Sequence, residues 1–291
     1  MMTDTPNPKP SGTLQRIIAY PIAQLVIGAV IVILTAGILS ALVQKIVPGH
    51  NTPIKFAGSV FVAMAIVASY KLYKRWIELV DDGELPRSGA VSELAAGLLI
   101  GGGLFALITG IVAVLGGFEV NGIRGGGEIW TMLAIAVISG TFEETLFRGI
   151  IMRHLESLIG TWGALAATSA FFGAAHLFNP DATWFAALAI ALEAGILLGA
   201  AYLLTRRLWM AIGIHAAWNF TQGWVFSVPV SGGDAPFGLL ITRRMGPDWL
   251  TGGAFGLEAS AVAMVVATVA GLVMLRMAYL RGRFIAPVWR R

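Results

Sequence analysis

Eight apolar stretches divide this chain, at residues 17–43, 54–73, 91–116, 129–155, 160–178, 183–204, 208–226 and 254–280. About 17–25 apolar residues in helical form cross the hydrocarbon core of a bilayer. A helix pairs every backbone N–H and C=O within its own segment, which lipid demands because it offers no partner. The fold expected is therefore all-α, a polytopic membrane bundle of about eight transmembrane helices. Only 12% of the 291 residues are charged and 57% are hydrophobic. A soluble domain carries about 25% charged residues. The polar, proline-rich residues 1–16 precede an apolar run too long for the core of a signal peptide, so that run reads as a first membrane helix. The expected divisions are a polar tail (1–16), N-terminal membrane helices (17–126), a core (127–226), a non-cytoplasmic loop (227–253) and a last helix with a basic tail (254–291).

The charge pattern sets an expected orientation. With the amino terminus inside, Lys9, Arg16, Lys71, Lys74, Arg75, Arg87, Arg153, Arg206, Arg207, Arg276, Arg281, Arg283, Arg290 and Arg291 fall on the cytoplasmic side. Lys45, Lys55, Arg124, Arg243 and Arg244 fall on the other. Cytoplasmic flanks of membrane helices are enriched in Lys and Arg, so both termini are expected in the cytoplasm. The net charge of +4 thus reflects topology, and no nucleic-acid partner is expected. Cysteine is absent, which excludes disulfides, thiolate catalysis and Cys-ligated metal. The localisation expected is an integral membrane protein, in the plasma membrane if the cell is bacterial. Oligomeric state is not legible.

Against this background the stretch 140–149, Gly-Thr-Phe-Glu-Glu-Thr-Leu-Phe-Arg-Gly, stands out. Glu143, Glu144 and Arg148 lie within an apolar helix, where an ionisable group costs about 2.5–3.5 kcal/mol and marks a functional site by default. Glu144 and Arg148 are four residues apart and share a helix face. Glu143 is turned about 100° from Glu144. The other polar groups inside spans are His176, Glu193, His215 and Asn219, while Glu93, Glu258, His50 and His154 read as interfacial. Glu193 reads as structurally paired. Rises of 1.5 Å per residue put these groups about 11 to 24 Å from the cytoplasmic helix ends, a spread that tilt can close into one polar site. A Glu–His pair can deprotonate a water. A His–Asn pair can donate hydrogen bonds to an oxyanion. Two His and one Glu (Glu143, His176 and His215) can instead ligate Zn²⁺ or another divalent metal, with water in the open position. Either route leads to amide hydrolysis.

Three motifs carry a resemblance: Glu143-Glu144-Thr-Leu-Phe-Arg148, Phe172-Gly-Ala-Ala-His176 and His215-Ala-Ala-Trp-Asn219. In order and spacing they are similar to the EExxxR, FxxxH and HxxxN motifs of the CPBP membrane proteases, also called the CAAX prenyl protease 2 or Abi family. The resemblance covers about residues 127–226. It implies an eight-helix intramembrane endopeptidase acting on a membrane-associated peptide or protein. Glu143 and His176 would activate water, His215 and Asn219 would stabilise the oxyanion, and Glu144 and Arg148 would support the site. The family is named for metal dependence but is also described as glutamate-dependent without metal, so Zn²⁺ stays open. Glu193 lies outside the motifs and is an additional candidate. Two other classes fit the same residues: a non-catalytic scaffold or immunity-type protein, and a proton-coupled transporter with a Glu–His–Arg relay. The transporter lacks the internal repeat many transporters show. Small-xxx-small pairs at Gly97/Gly101 and Gly195/Gly199 predict close helix approach.

Overall fold

A computed structural model describes residues 17–81 and 83–290. The tail 1–16, with Lys9 and Arg16, and the last residue, Arg291, lie outside the described residues. The helices are α1 (Pro21–Ile46), α2 (Pro53–Tyr73), α3 (Ala90–Val114), α4 (Ile129–Glu144), α5 (Arg153–Ala175), α6 (Trp184–Ile190), α7 (Ile196–Thr205), α8 (Trp209–Phe220) and α9 (Ala261–Leu280). Proline opens α1 and α2 where its missing N–H costs nothing. Thr52, Thr183 and Ser260 cap α2, α6 and α9 with their hydroxyl oxygens. Wider π-helical turns continue several helices, at Lys74–Glu78, Thr145–Met152, Ala191–Gly195 and Thr221–Val225.

Six described helices are long and apolar enough to cross a membrane. The longest, Ile129–Phe178, breaks at Gly160, whose φ of 74° and ψ of 171° leave the helix. A Cβ there would sit 2.7 Å from the Pro287 nitrogen, so glycine lets the basic tail pack into the break. The two limbs and the shorter rod from Trp209 to Val225 bring helix to all eight expected stretches. The bundle is mostly helical and polytopic. Large apolar side chains lie exposed along α1 (Val26, Val30, Ile33, Leu34) and α9 (Val265, Val269, Leu272, Val273), as lipid contact requires. The rod Trp184–Thr205, formed by α6, a π turn and α7, is the innermost, 72% buried against 17% for α1.

The expected irregular loop 227–253 is partly ordered. Within it β2 (Leu240–Arg244) pairs antiparallel with β1 (Phe118–Ile123), Phe118 opposite Arg244 and Ile123 opposite Leu240. The all-α expectation thus gains a small two-stranded ribbon. Val228 and Leu250 are buried, although Gly233, Asp234 and Ala235 are exposed. The ribbon is a long-range pairing of two five- or six-residue segments, and the Asn121-Gly122 turn signal inside β1 argues locally against a strand; a register irregularity between Val120 and Gly122 accommodates it.

Polar contacts define two ends of the bundle. At the loop end, Asn51 donates to Gly127 O at 2.8 Å and accepts from the Trp130 N–H at 2.8 Å. Glu128 accepts from the Phe237 N–H at 2.9 Å, and Arg124 N–H donates to Leu239 O at 2.7 Å. At the opposite, basic end, Lys74 pairs with Glu84 at 2.8 Å and with Glu78 at 3.6 Å. Arg153 pairs with Glu78, Arg206 with Glu156 and Arg207 with Glu93. Glu93 and His154 both belong to this end, and His154 is not exposed there. It is buried, 3.2 Å from Glu78 and 3.3 Å from the Tyr73 hydroxyl. This network stitches the chain around 70–93, 149–161 and 205–209 into one closed floor.

Candidate active site

The candidate residues sit on α4 and the π turn that continues it, at the carboxyl end of α5, on α8, and on the π turn between α6 and α7. Glycines set how closely those helices approach. A Cβ on Gly101 would lie 2.8 Å from the Ile214 Cα, so α3 presses directly against the α8 backbone next to His215. Gly140 similarly faces the backbone of Ala216, with a Cβ position 3.2 Å from its nitrogen. Small residues here admit backbone-to-backbone packing of helices, as the sequence spacing predicts for Gly97 and Gly101.

Glu144 is fully buried, and its Oε1 accepts from Arg148 Nη1 at 2.9 Å and from His215 Nδ1 at 2.8 Å. The other guanidinium nitrogen of Arg148 donates to the carbonyls of Ala194 at 3.0 Å and Gly195 at 3.4 Å, at the end of the π turn. Its face rests on Phe172, 4.7 Å from the ring centroid, a cation–π contact. Arg148 thus meets a carboxylate, two carbonyls and an aromatic face, which is how a buried cation is satisfied. Phe172 also packs against the rings of His176 at 4.8 Å and His215 at 6.3 Å. The phenylalanine of the second motif is a common support for both imidazoles and the guanidinium.

Glu143 differs from its neighbour. Its side chain is partly exposed, 23%, and its Oε2 lies 3.9 Å from His215 Nε2, too far for a hydrogen bond. It lines the open cleft and two adjoining grooves. Fixed partners hold Glu144 Oε1, whereas the Glu143 carboxylate opens on the cleft.

Both histidines present the same nitrogen. His176 Nδ1 is 2.8 Å from Phe172 O, and a carbonyl only accepts, so Nδ1 carries the hydrogen. His215 Nδ1 is likewise held by Glu144, leaving Nε2 toward the cleft. Asn219 Nδ2 donates to Ser139 Oγ at 2.9 Å, which uses one of its two hydrogens. Ser139 carries no sequence signal, because a serine four residues before Glu143 is unremarkable in a membrane helix. The cleft, about 580 Å³, brings Glu143, His176, His215 and Asn219 together with Ser139 and the loop-end residues His50, Glu128 and Asp234.

Glu193 is not in this cleft. It lies on the other side of His176 and His215, in a smaller adjoining cavity, with Glu258. Two expectations need correcting. Among the described residues no Lys or Arg pairs with Glu193, whose Oε2 is buried without a partner. Glu258 is not interfacial but buried, accepting the Ser231 N–H. The ordered loop folds over Glu258 and removes it from the surface.

The donor set of Glu143, His176 and His215 is chemically suited to a metal. The fit is weak, however: among the described residues no group of three or more His, Asp or Glu is placed to hold one. No step proposed below runs through a metal.

Residues 125–221, about a third of the chain, match the family model of the type II CAAX prenyl endopeptidases, described as Rce1-like. This is consistent with the CPBP family. No curated protein and no solved structure matches the chain.

Proposed function

We propose that this integral membrane protein, whose residues 125–221 match the Rce1-like type II CAAX prenyl endopeptidase model, is an endopeptidase that cleaves a membrane-associated peptide with activated water. The observation that carries the reading is the shared cleft. Glu143, His176, His215 and Asn219 come from three helices yet line one opening. A water beside Glu143 loses its proton to the carboxylate–imidazole pair of Glu143 and His176 as its oxygen attacks the peptide carbon. The oxyanion that forms is stabilised by the second Asn219 N–H and, when His215 is doubly protonated, by its Nε2–H. Glu144 holds His215 from the far side, and Arg148 holds Glu144. The proton then passes to the departing amine, and the peptide bond breaks.

The cleft opens among the loop-end residues. A groove lined mainly by apolar α1, α4 and α5 side chains, including Leu25, Val26 and Phe147, leads sideways from Glu143 and His176. A substrate with a polar segment at the loop end and an apolar anchor in the bilayer suits both openings. The test compares membrane proteomes of cells carrying the parent protein and Glu143→Ala, at equal membrane levels. Fragments present with the parent and missing with Glu143→Ala identify substrates; identical fragment patterns would sink the reading. Cleavage that persists through chelation, in protein with no bound metal by elemental analysis, excludes a zinc mechanism.

A further inference from the structure

His176, His215 and Asn219 have two sides. One faces the open cleft with Glu143. The other lines a small cavity of about 30 Å³, room enough for water, whose polar lining includes Glu193, Glu258 and Ser231. Glu193 and Glu258 are 1% and 2% exposed. Among the described residues neither is joined to a lysine or arginine, and Glu193 Oε2 has no partner at all. Glu193, Glu258 and His176 line this cavity together. Apart from these three, the titratable group lining the cavity is His215, already bound to Glu144.

Two buried carboxylates on one small cavity, neither joined to a lysine or arginine and with His215 already bound to Glu144, disfavour two charges, and like charges at one site lead one to keep its proton. A protonated carboxyl then has a hydrogen to donate and its partner an oxygen to receive it, directly or through one water. That arrangement gives Glu193 Oε2 the partner it lacks. We propose that Glu193 and Glu258 share a single proton across this cavity, and that the resulting pair, with one net negative charge, positions His176 from behind. The positioning role rests on the endopeptidase reading above; the shared proton does not.

Two measurements separate these parts. Infrared difference spectra of the full-length protein in lipid, recorded in H₂O and D₂O, detect a protonated carboxyl by its C=O band. The parent shows such a band, and it disappears in Glu193→Gln and equally in Glu258→Gln, because the remaining carboxyl ionises. Absence of the band, or its survival in both variants, overturns proton sharing, whether or not the protein cleaves anything. The second measurement uses a peptide carrying a cleavage sequence recovered with the parent protein. Each single Gln variant keeps kcat within about threefold, since the amide N–H replaces the carboxyl O–H. The double Gln variant, with the charge gone, loses kcat by about tenfold or more at unchanged KM, the scale of a misplaced catalytic group. A double variant as active as the singles would show the pair to be structural only.

Discussion

Adjacent glutamates with opposite fates are the central feature at the residue scale. Glu143 and Glu144 are chemically identical and one residue apart, yet one is partly exposed and the other sealed. The hundred-degree turn of the helix separates them. Glu144 faces Arg148 and His215, and its position there fixes both. Removing one partner of a buried ion pair leaves the other uncompensated, at roughly 3–5 kcal/mol. Arg148→Leu is expected to lower the unfolding midpoint in detergent markedly, and Arg148→Lys to recover only part of it, because an ammonium lacks the fork that reaches both Glu144 and the Ala194 carbonyl. An unfolding midpoint unchanged in Arg148→Leu would show the pair to be dispensable. The i, i+4 spacing made the Glu144–Arg148 pair legible in the sequence. Glu258 and Ser231 were not legible, since they meet the site only through the fold of the loop.

Close packing and helix irregularity dominate at the element scale. Gly97 and Gly101 bring α3 onto the α8 backbone, and α8 carries both His215 and Asn219. The π turns sit where the site needs them. One follows Glu144 and contains Arg148, one contains Glu193, and one begins two residues after Asn219. A π turn shifts the helix register and re-aims side chains, and such turns concentrate at functional sites. Overpacking a tight interface costs about 1–3 kcal/mol and moves the backbone. Gly101→Val is therefore expected to destabilise the protein and to lower cleavage more than its stability loss explains, by moving α8 away from Glu143. Gly103→Val, where no atom lies within 4 Å of a Cβ, is the control and should change neither. Equal behaviour of the two variants would refute the packing argument.

The whole molecule has a closed end and an open end. Ion pairs knit the basic end, while the cleft opens among the loops. Lys and Arg concentrate at the closed end, so from the positive-inside rule we propose that the cleft mouth faces the non-cytoplasmic side. The chain has no cysteine, which makes single-cysteine labelling clean. Asp234→Cys, exposed at the cleft mouth, is expected to react with a membrane-impermeant maleimide in intact cells. Arg281→Cys, exposed at the other end, should react only after permeabilisation. The reverse pattern would put the mouth and its substrates on the cytoplasmic side, and equal labelling of both would reject the two-ended topology.

The sequence by itself determined the class of fold, because runs of apolar residues in lipid leave helix as the open choice. It also announced the three motifs and the pairing of Glu144 with Arg148, since both are local and follow helix periodicity. What only the tertiary structure decided is which side of each polar group faces what. Contact between residues 71 positions apart binds His215 to Glu144. Pairing between segments more than a hundred residues apart orders the ribbon at the loop end. The same loop buries Glu258 behind the histidines, and so divides one expected polar site into a wide cleft and a small adjoining cavity. Such contacts depend on distances between helices, and periodicity along a single helix carries no record of them.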